Sequence, residues 1–270
     1  MKSDACTYVT LLYDDTYLPG VIALHQSLKK VRSETGLMVL VAGERVNART
    51  TDTLTALAIA FRQVKALRSP YADTPAVYKE TFTKLRILEL TEYRKIVYLD
   101  ADTLVLHNID ELFGKEAWSA VNAGGMLPEH AGWVQLNSGV LVLEPDPSLA
   151  DDMLRAQHRL PSTKGRGDQG FLQRYFPDWP SRSDLHLDHR YNLYAGHLDR
   201  YHELFGYDLT DEKTDRSVCL VHYWGPRKPW YAKAPGPSKG PLHTRAFQRW
   251  WQVFEEAEYV NSSYGVASVG

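Results

Sequence analysis

Lys-Ile-Val-Tyr-Leu-Asp-Ala-Asp, residues 95–102, is the stretch whose reading decides the fold. Behind its lysine stand four apolar residues, β-branched and aromatic types among them, as in a short strand covered on both faces. Two carboxylates follow at once, with only Ala101 between them. In extended backbone the side chains of residues i and i+2 point the same way, so Asp100 and Asp102 are expected to project together from the strand's end. Carboxylates held that close repel each other and shift in pKa. A divalent cation removes the conflict, and Mg²⁺ or Mn²⁺ takes oxygen ligands from protein and diphosphate together. Turns and helix caps also produce Asp-x-Asp, so its place after a buried strand carries the weight.

Upstream of this stretch the sequence alternates between two periods. Residues 7–13 are a β-rich run, and Pro19 then opens a helical stretch with Val21, Leu24 and Leu28 on one face. Residues 37–41 are continuously apolar, as in a buried strand. Leu54, Leu57, Ala58 and Phe61 are spaced as one helical face, residues 64–67 read as a further strand, and Phe82, Leu85 and Leu88 mark another helix. Strand and helix in strict alternation predict a doubly wound, mostly parallel α/β sheet. Ligands of such sheets sit at the carboxyl ends of the strands beside a topological switch point. Asp100 stands at such an end.

Downstream, residues 139–143 and 217–223 are strand candidates, and residues 235–241 (Pro-Gly-Pro-Ser-Lys-Gly-Pro) form a loop of helix breakers. Phe247, Trp250, Trp251 and Phe254 share one helical face, which predicts packing rather than a binding box. One domain over residues 1–260 with a flexible tail at 261–270 accounts for the chain.

A net charge of −2 and the lack of any basic stripe argue against nucleic-acid binding. No run of ~18 apolar residues offers a membrane span, and residues 1–20 lack a secretory pattern, so a cytoplasmic location without membrane attachment is expected. The two cysteines, Cys6 and Cys219, sit in apolar strand-like runs and are expected to be buried reduced thiols.

The strand-like residues 218–221 end at His222, followed by Tyr-Trp-Gly-Pro-Arg-Lys-Pro-Trp at 223–230. An imidazole there could complete the coordination of Mn²⁺. Gly225 would let backbone approach a phosphate closely, and Lys228 would balance diphosphate charge. Taken singly, these are also a satisfied histidine and a solvated lysine.

Together the pieces resemble glycosyltransferase family 8, particularly its glycogenin-like branch. Residues 83–113, from Thr-Lys-Leu-Arg through Asp-Ala-Asp to Glu-Leu-Phe, are similar to that family's central block. So are Asn-Ser-Gly-Val (137–140), Gly-Asp-Gln-Gly-Phe-Leu (167–172), Tyr-Asn-Leu (191–193), and His-Tyr-Trp-Gly with Lys-Pro-Trp (222–230), in order and at matching spacing. Val-Thr-Leu (9–11), Tyr17 and Gly20 fit the same pattern.

The resemblance implies a glycosyltransferase A type fold and a retaining, metal-dependent transfer of glucose or galactose from a UDP-sugar to a hydroxyl acceptor. Asp100, Asp102 and His222 would hold the Mn²⁺ or Mg²⁺ on the diphosphate. Leu11, Asp14, Tyr17 and Ala101 would line the nucleotide site, with Gly225 and Lys228 at the phosphates. Asn137, Ser138, Asp168 and Gln169 would ring the donor sugar, with Lys84 beside it. Asp168 also reads as a helix N-cap. A homodimer is compatible with this reading.

The sequence departs from the glycogenin pattern at three places. Asp14 stands where glycogenins carry an asparagine, and Gly165 replaces an additional aspartate. Gly196 aligns with the tyrosine that glycogenins glucosylate on themselves, with Tyr194 two residues before it and Tyr201 five after it. Lys-Glu-Thr-Phe-Thr-Lys (79–84) is similar to galactinol synthases, whose donor is UDP-galactose. A separate acceptor is therefore expected, with self-glycosylation as the alternative. A sugar nucleotidyltransferase would need a glycine-rich loop after the first strand, where Tyr13-Asp14-Asp15 stands instead. A non-catalytic sugar-binding protein would be expected to have lost a ligand or the lysine, and both are present.

Overall fold

A computed structural model describes residues 5–161, 167–231 and 240–257. Six strands form the main sheet: β1 (Cys6–Leu12), β2 (Leu37–Ala42), β3 (Ala60–Val64), β4 (Lys95–Leu99), β6 (Ala120–Asn122) and β7 (Leu136–Leu143). Their order is β3-β2-β1-β4-β7-β6. The first four are parallel, while β7 runs antiparallel to both β4 and β6. A second sheet pairs β5 (Thr103–Val105), β9 (Leu220–His222) and β8 (Leu193–Tyr194) in the order β5-β9-β8.

Alternation along the strands builds two cores. Tyr8, Leu12, Val39, Val97, Leu99, Val140 and Val142 face one side; Val9, Leu11, Leu40, Ile96, Tyr98, Leu141 and Leu143 face the other. Helices α1 (Leu18–Lys30), α5 (Leu198–Phe205) and α6 (Pro241–Glu255) cover the first face. The second is covered by α3 (Pro147–Ala156), α4 (Gly167–Tyr175) and the 3-10 segment Thr81–Glu89. Helix α2 (Ala48–Ala56) begins at Asn47, whose side chain accepts from Thr50 N at 3.2 Å. The doubly wound, mostly parallel sheet is as expected, and the order reverses between β1 and β4. That switch point places the carboxyl ends of β1 and β4 side by side.

Some local expectations needed correction. Helix α2 stops at Ala56, Ala58 turns the chain at φ 53°, and Phe61 pairs with Val39 in β3. The apparent helical face over residues 54–61 is thus one helix end, a three-residue turn and a strand start. The expected strand at 64–67 lies a few residues earlier. Residues Phe82 to Leu88 are helical but wound as 3-10 turns. Cys219 is buried, Cys6 is half-buried, and neither is in a disulfide; burial pushes the Cys219 thiol up to about 11. On α6, Phe247, Trp250 and Phe254 are buried and Trp251 is half-buried, so the stripe packs as expected. Gly165, the tail past residue 260 and most of the 235–241 loop lie outside the described residues.

Candidate active site

Asp100 directly follows β4, and its N–H donates to Gly139 O at 2.8 Å. The chain then turns instead of staying extended: Thr103 N and Thr103 Oγ1 both donate to Asp100 O, at 3.1 and 2.7 Å. Extended backbone is therefore not what brings the two carboxylates together. Register does it. β5 pairs antiparallel with β9 with Thr103 opposite His222, and Tyr223 N donates to Asp102 O at 2.8 Å. His222 Nε2 thereby lies 3.2 Å from Asp102 Oδ1 and 3.7 Å from Asp100 Oδ2. One ligand atom from each of the three residues falls within 4.8 Å of the others, the one such group of three among the described residues.

Amide and imidazole orientations follow from one fixed donor. Gly139 N donates to Asn137 Oδ1 at 2.8 Å. Asn192 Nδ2 donates to the same oxygen at 2.9 Å, so Asn192 Oδ1 is the atom facing His222 Nδ1, also at 2.9 Å. An oxygen there calls for a proton on Nδ1, so Nε2 faces the two carboxylates either as the N–H of an imidazolium or as the lone pair that a metal ion takes. A divalent cation satisfies that arrangement, and an imidazole in the donor set suits Mn²⁺ better than Mg²⁺, which prefers oxygen throughout. Gly139 permits it: a Cβ there would lie 2.5 Å from His222 Cε1 and 2.7 Å from Nδ1.

Two buried lysines complete the charge balance. Lys84 Nζ lies 2.7 Å from Asp168 Oδ2 and 3.5 Å from Asp100 Oδ1, donates to Ser138 O at 2.8 Å, and sits 4.4 Å above the Tyr98 ring. Burial disfavours its charge, but Asp100 and Asp168 outweigh that and raise its pKa. Lys228 Nζ bonds Asp102 Oδ2 and Tyr223 O and lies 5.5 Å from the Tyr17 ring centroid. Burial works against the Asp102 charge, yet His222 and Lys228 hold its carboxyl well below the usual carboxylate range. Asp100 goes the other way: burial pushes it up against the pull of Lys84 and His222.

The remaining expected residues divide between cleft and scaffold. Asp168 is the second residue of α4, inside its first turn and not at the expected N-cap; its N–H donates to Thr81 Oγ1 at 3.2 Å, and Gln169 Oε1 accepts from Ser138 N at 3.2 Å. Ser138, Asp168, Gln169 and Lys84 are thus one connected cluster, while the Asn137 side chain bonds Gly139 and Asn192. Gly225 holds φ +95°, a backbone that favours glycine. Ala101 is buried, and its carbonyl oxygen would lie 2.3 Å from a Cβ at Gly20, so helix α1 approaches the aspartate turn only through glycine. Asp14 accepts from Thr16 N and Thr16 Oγ1 at 3.0 and 2.7 Å and pairs with Arg45 at 2.7 Å. The Leu11 side chain packs in the second core.

Sequence reasoning gave no role to Asn192, Gly139, Tyr98 or Arg45. Tyr98 Oη donates to Asp100 Oδ1 at 2.7 Å. The signal for Asn192 was present in Tyr-Asn-Leu, but nothing local tied it to a histidine 30 residues away.

With this geometry in place, comparison with known proteins decides the family. The model of glycosyl transferase family 8 matches residues 8–234. The chain belongs to that family. It is 34% identical over 245 residues to inositol phosphorylceramide glucuronosyltransferase 1 of Arabidopsis thaliana, covering 85% of this chain and 43% of that protein. Against glycogenin-1 of Oryctolagus cuniculus it is 32% identical over 268 residues, covering 92% and 74%. It spans 50% of human glycogenin-2, at 33% identity. Its fold is that of the galactosyltransferase LgtC, solved with donor and acceptor sugar analogs, with a TM-score of 0.66 at 15% identity over 96% of this chain and 99% of that one. No helix among the described residues is long and apolar enough to cross a membrane.

Proposed function

We propose that this family 8 protein transfers a hexose from a UDP-sugar to the hydroxyl of a separate acceptor, with retention of anomeric configuration. The convergence of Asp100, Asp102 and His222 at the switch point, with Lys228 on the same carboxylate, carries this reading. Bound Mn²⁺ or Mg²⁺ would supply Lewis-acid stabilisation of the departing diphosphate. Lys228 adds a charge-assisted contact to phosphate when it exchanges Asp102 for the ligand. On the sugar side, Gln169 has its oxygen occupied by Ser138 N–H, so its NH₂ is the end that donates to a hydroxyl. Asp168, paired with Lys84, offers negative charge where positive charge grows on the anomeric carbon. Leu11, Asp14, Tyr17 and Ala101 take the nucleotide side, and Asn137 and Ser138 the sugar side. Two cysteines outside any disulfide are compatible with the cytoplasmic location of this proposal.

The test is UDP release from UDP-glucose, UDP-galactose, UDP-glucuronate, UDP-xylose and UDP-GlcNAc, each with Mn²⁺ and with EDTA. Release with Mn²⁺ that falls by orders of magnitude in EDTA, and in a folded Asp102→Asn variant, is expected. Full turnover under either condition overturns the reading.

A further inference from the structure

Each aspartate of the Asp100–Asp102–His222 group commits one carboxylate oxygen to a protein donor and leaves the other facing the histidine. Asp100 Oδ1 accepts from Tyr98 Oη at 2.7 Å and lies 3.5 Å from Lys84 Nζ, while Oδ2 is the atom 3.7 Å from His222 Nε2. Asp102 Oδ2 bonds Lys228, while Oδ1 lies 3.2 Å from the same imidazole nitrogen. The two holds differ in kind. Lys228 is a cation that a phosphate can draw away from Asp102. Tyr98 has no such alternative. Its backbone lies in the sheet opposite Val9 of β1 and Leu141 of β7, and its side chain is buried in the second core. Lys84 Nζ lies 4.4 Å from the ring centroid, on the ring's face. That ammonium is nearer Asp168 than Asp100, at 2.7 against 3.5 Å, so the Tyr98 hydroxyl is the closer hold on Oδ1.

We propose that Tyr98 is a positioning residue that keeps Asp100 a one-oxygen ligand and thereby sets the site against Ca²⁺. The proposal rests on the metal-dependent transferase reading above. An ionised carboxylate only accepts hydrogen bonds, and Tyr98 O–H fixes which of the two Asp100 oxygens stays inside the protein. Ca²⁺ gathers about 6–8 oxygen ligands and readily takes both oxygens of a carboxylate, whereas smaller ions such as Mg²⁺ keep to octahedral sites. A carboxylate with one oxygen already held serves the smaller ions and leaves Ca²⁺ short of ligands. The His222 nitrogen by itself tilts the choice toward Mn²⁺. Tyr98 adds what an imidazole cannot, by limiting the number of oxygens on offer.

Tyr98→Phe removes the hydroxyl and keeps the ring beside Lys84. Thr103→Val is its control, because Thr103 Oγ1 donates at 2.7 Å to the backbone oxygen of Asp100 and leaves the carboxylate alone. The probe is Mn²⁺ in the presence of UDP, followed by the electron paramagnetic resonance signal of the free ion, with Ca²⁺ titrated in as competitor. In Tyr98→Phe the Mn²⁺ affinity is expected to fall about tenfold. Ca²⁺ affinity should hold or rise, so the Ca²⁺ concentration that releases half of the Mn²⁺ drops by about tenfold or more. In Thr103→Val the two affinities should move together. Equal competition by Ca²⁺ in the wild type, an unchanged ratio of the two affinities in Tyr98→Phe, or the same change of ratio in Thr103→Val overturns the assignment. Failure of the wild-type protein to bind Mn²⁺ in the presence of UDP would instead overturn the transferase reading itself.

Discussion

His222 Nδ1 and Asn192 Oδ1 lie 2.9 Å apart, bridging the neighbouring strands β9 and β8 just where β9 meets the two aspartates. Because Asn192 Nδ2 is committed to Asn137, this single contact fixes the His222 tautomer. Partners of this kind behind metal-binding histidines are worth about 10–100-fold in affinity. Asn192→Ala is therefore expected to weaken Mn²⁺ binding in the presence of UDP by that order, with Asn192→Asp, which keeps an acceptor, losing less. Titration followed by the Mn²⁺ electron paramagnetic resonance signal decides this. Equal, unchanged affinities in both variants would reduce the contact to scaffolding.

Lys228 neutralises Asp102 in the absence of nucleotide. Removing it should act in opposite directions on the two ligands. Lys228→Ala is expected to tighten divalent-metal binding to the nucleotide-free protein, since a competing cation is gone, while weakening UDP more than uridine. Calorimetry with Mn²⁺, UDP and uridine separates these effects. Equal losses for UDP and uridine would place Lys228 outside the phosphate site.

Tyr201 is 2% exposed and its hydroxyl accepts from Met126 N at 2.8 Å, so it is not available as an internal acceptor. Tyr194 is packed between Trp224 and His197. Gly196 has no side chain at all, and Tyr194 fills the space that one would need. Intact mass after long incubation with UDP-glucose or UDP-galactose and Mn²⁺ is expected to show no hexose ladder. A ladder on the wild type that Tyr194→Phe abolishes would restore the self-glycosylating reading that the glycogenin relatives suggest.

Away from the cleft, Asp110 ties the first strand to the loop after α1. It accepts from Tyr8 Oη at 2.7 Å, Ser33 Oγ at 2.6 Å, Glu34 N at 3.0 Å and Asn108 Nδ2 at 3.2 Å. Burial opposes its charge, but these donors outweigh that and lower its pKa. A depressed carboxylate stabilises the fold above its unfolded pKa of ~3.9 and loses that contribution as pH falls through the folded value. Asp110→Asn should cost about 2 kcal/mol at pH 7, with the gap to wild type closing below ~pH 4. Urea unfolding of both proteins across that range checks it; a gap independent of pH would show that shape, not charge, matters there.

The β4 strand and its two aspartates were legible because the signals are local: a buried apolar run, then two acids at the point where it ends. The same holds for β1, α1 and the α6 stripe, where period alone separates strand from helix. Over residues 54–61 locality misled, since Ala58 breaks the helix with a positive φ that no spacing rule reports. The aspartate turn misled in a smaller way, its backbone folding where an extended one was expected.

By itself the sequence determined the alternating α/β order, the position of Asp100 and Asp102 at a strand end, and, through ordered motifs, the family. Only the tertiary structure decided that His222 stands against Asp102, that Asn192 sets its tautomer, that Gly139 leaves room for the ring, and that Lys84 and Tyr98 meet at one oxygen of Asp100. The reason is physical. Backbone propensity and hydrophobic period act over a few residues, whereas the β5–β9 register joins segments about 120 positions apart and is settled by packing two faces at once.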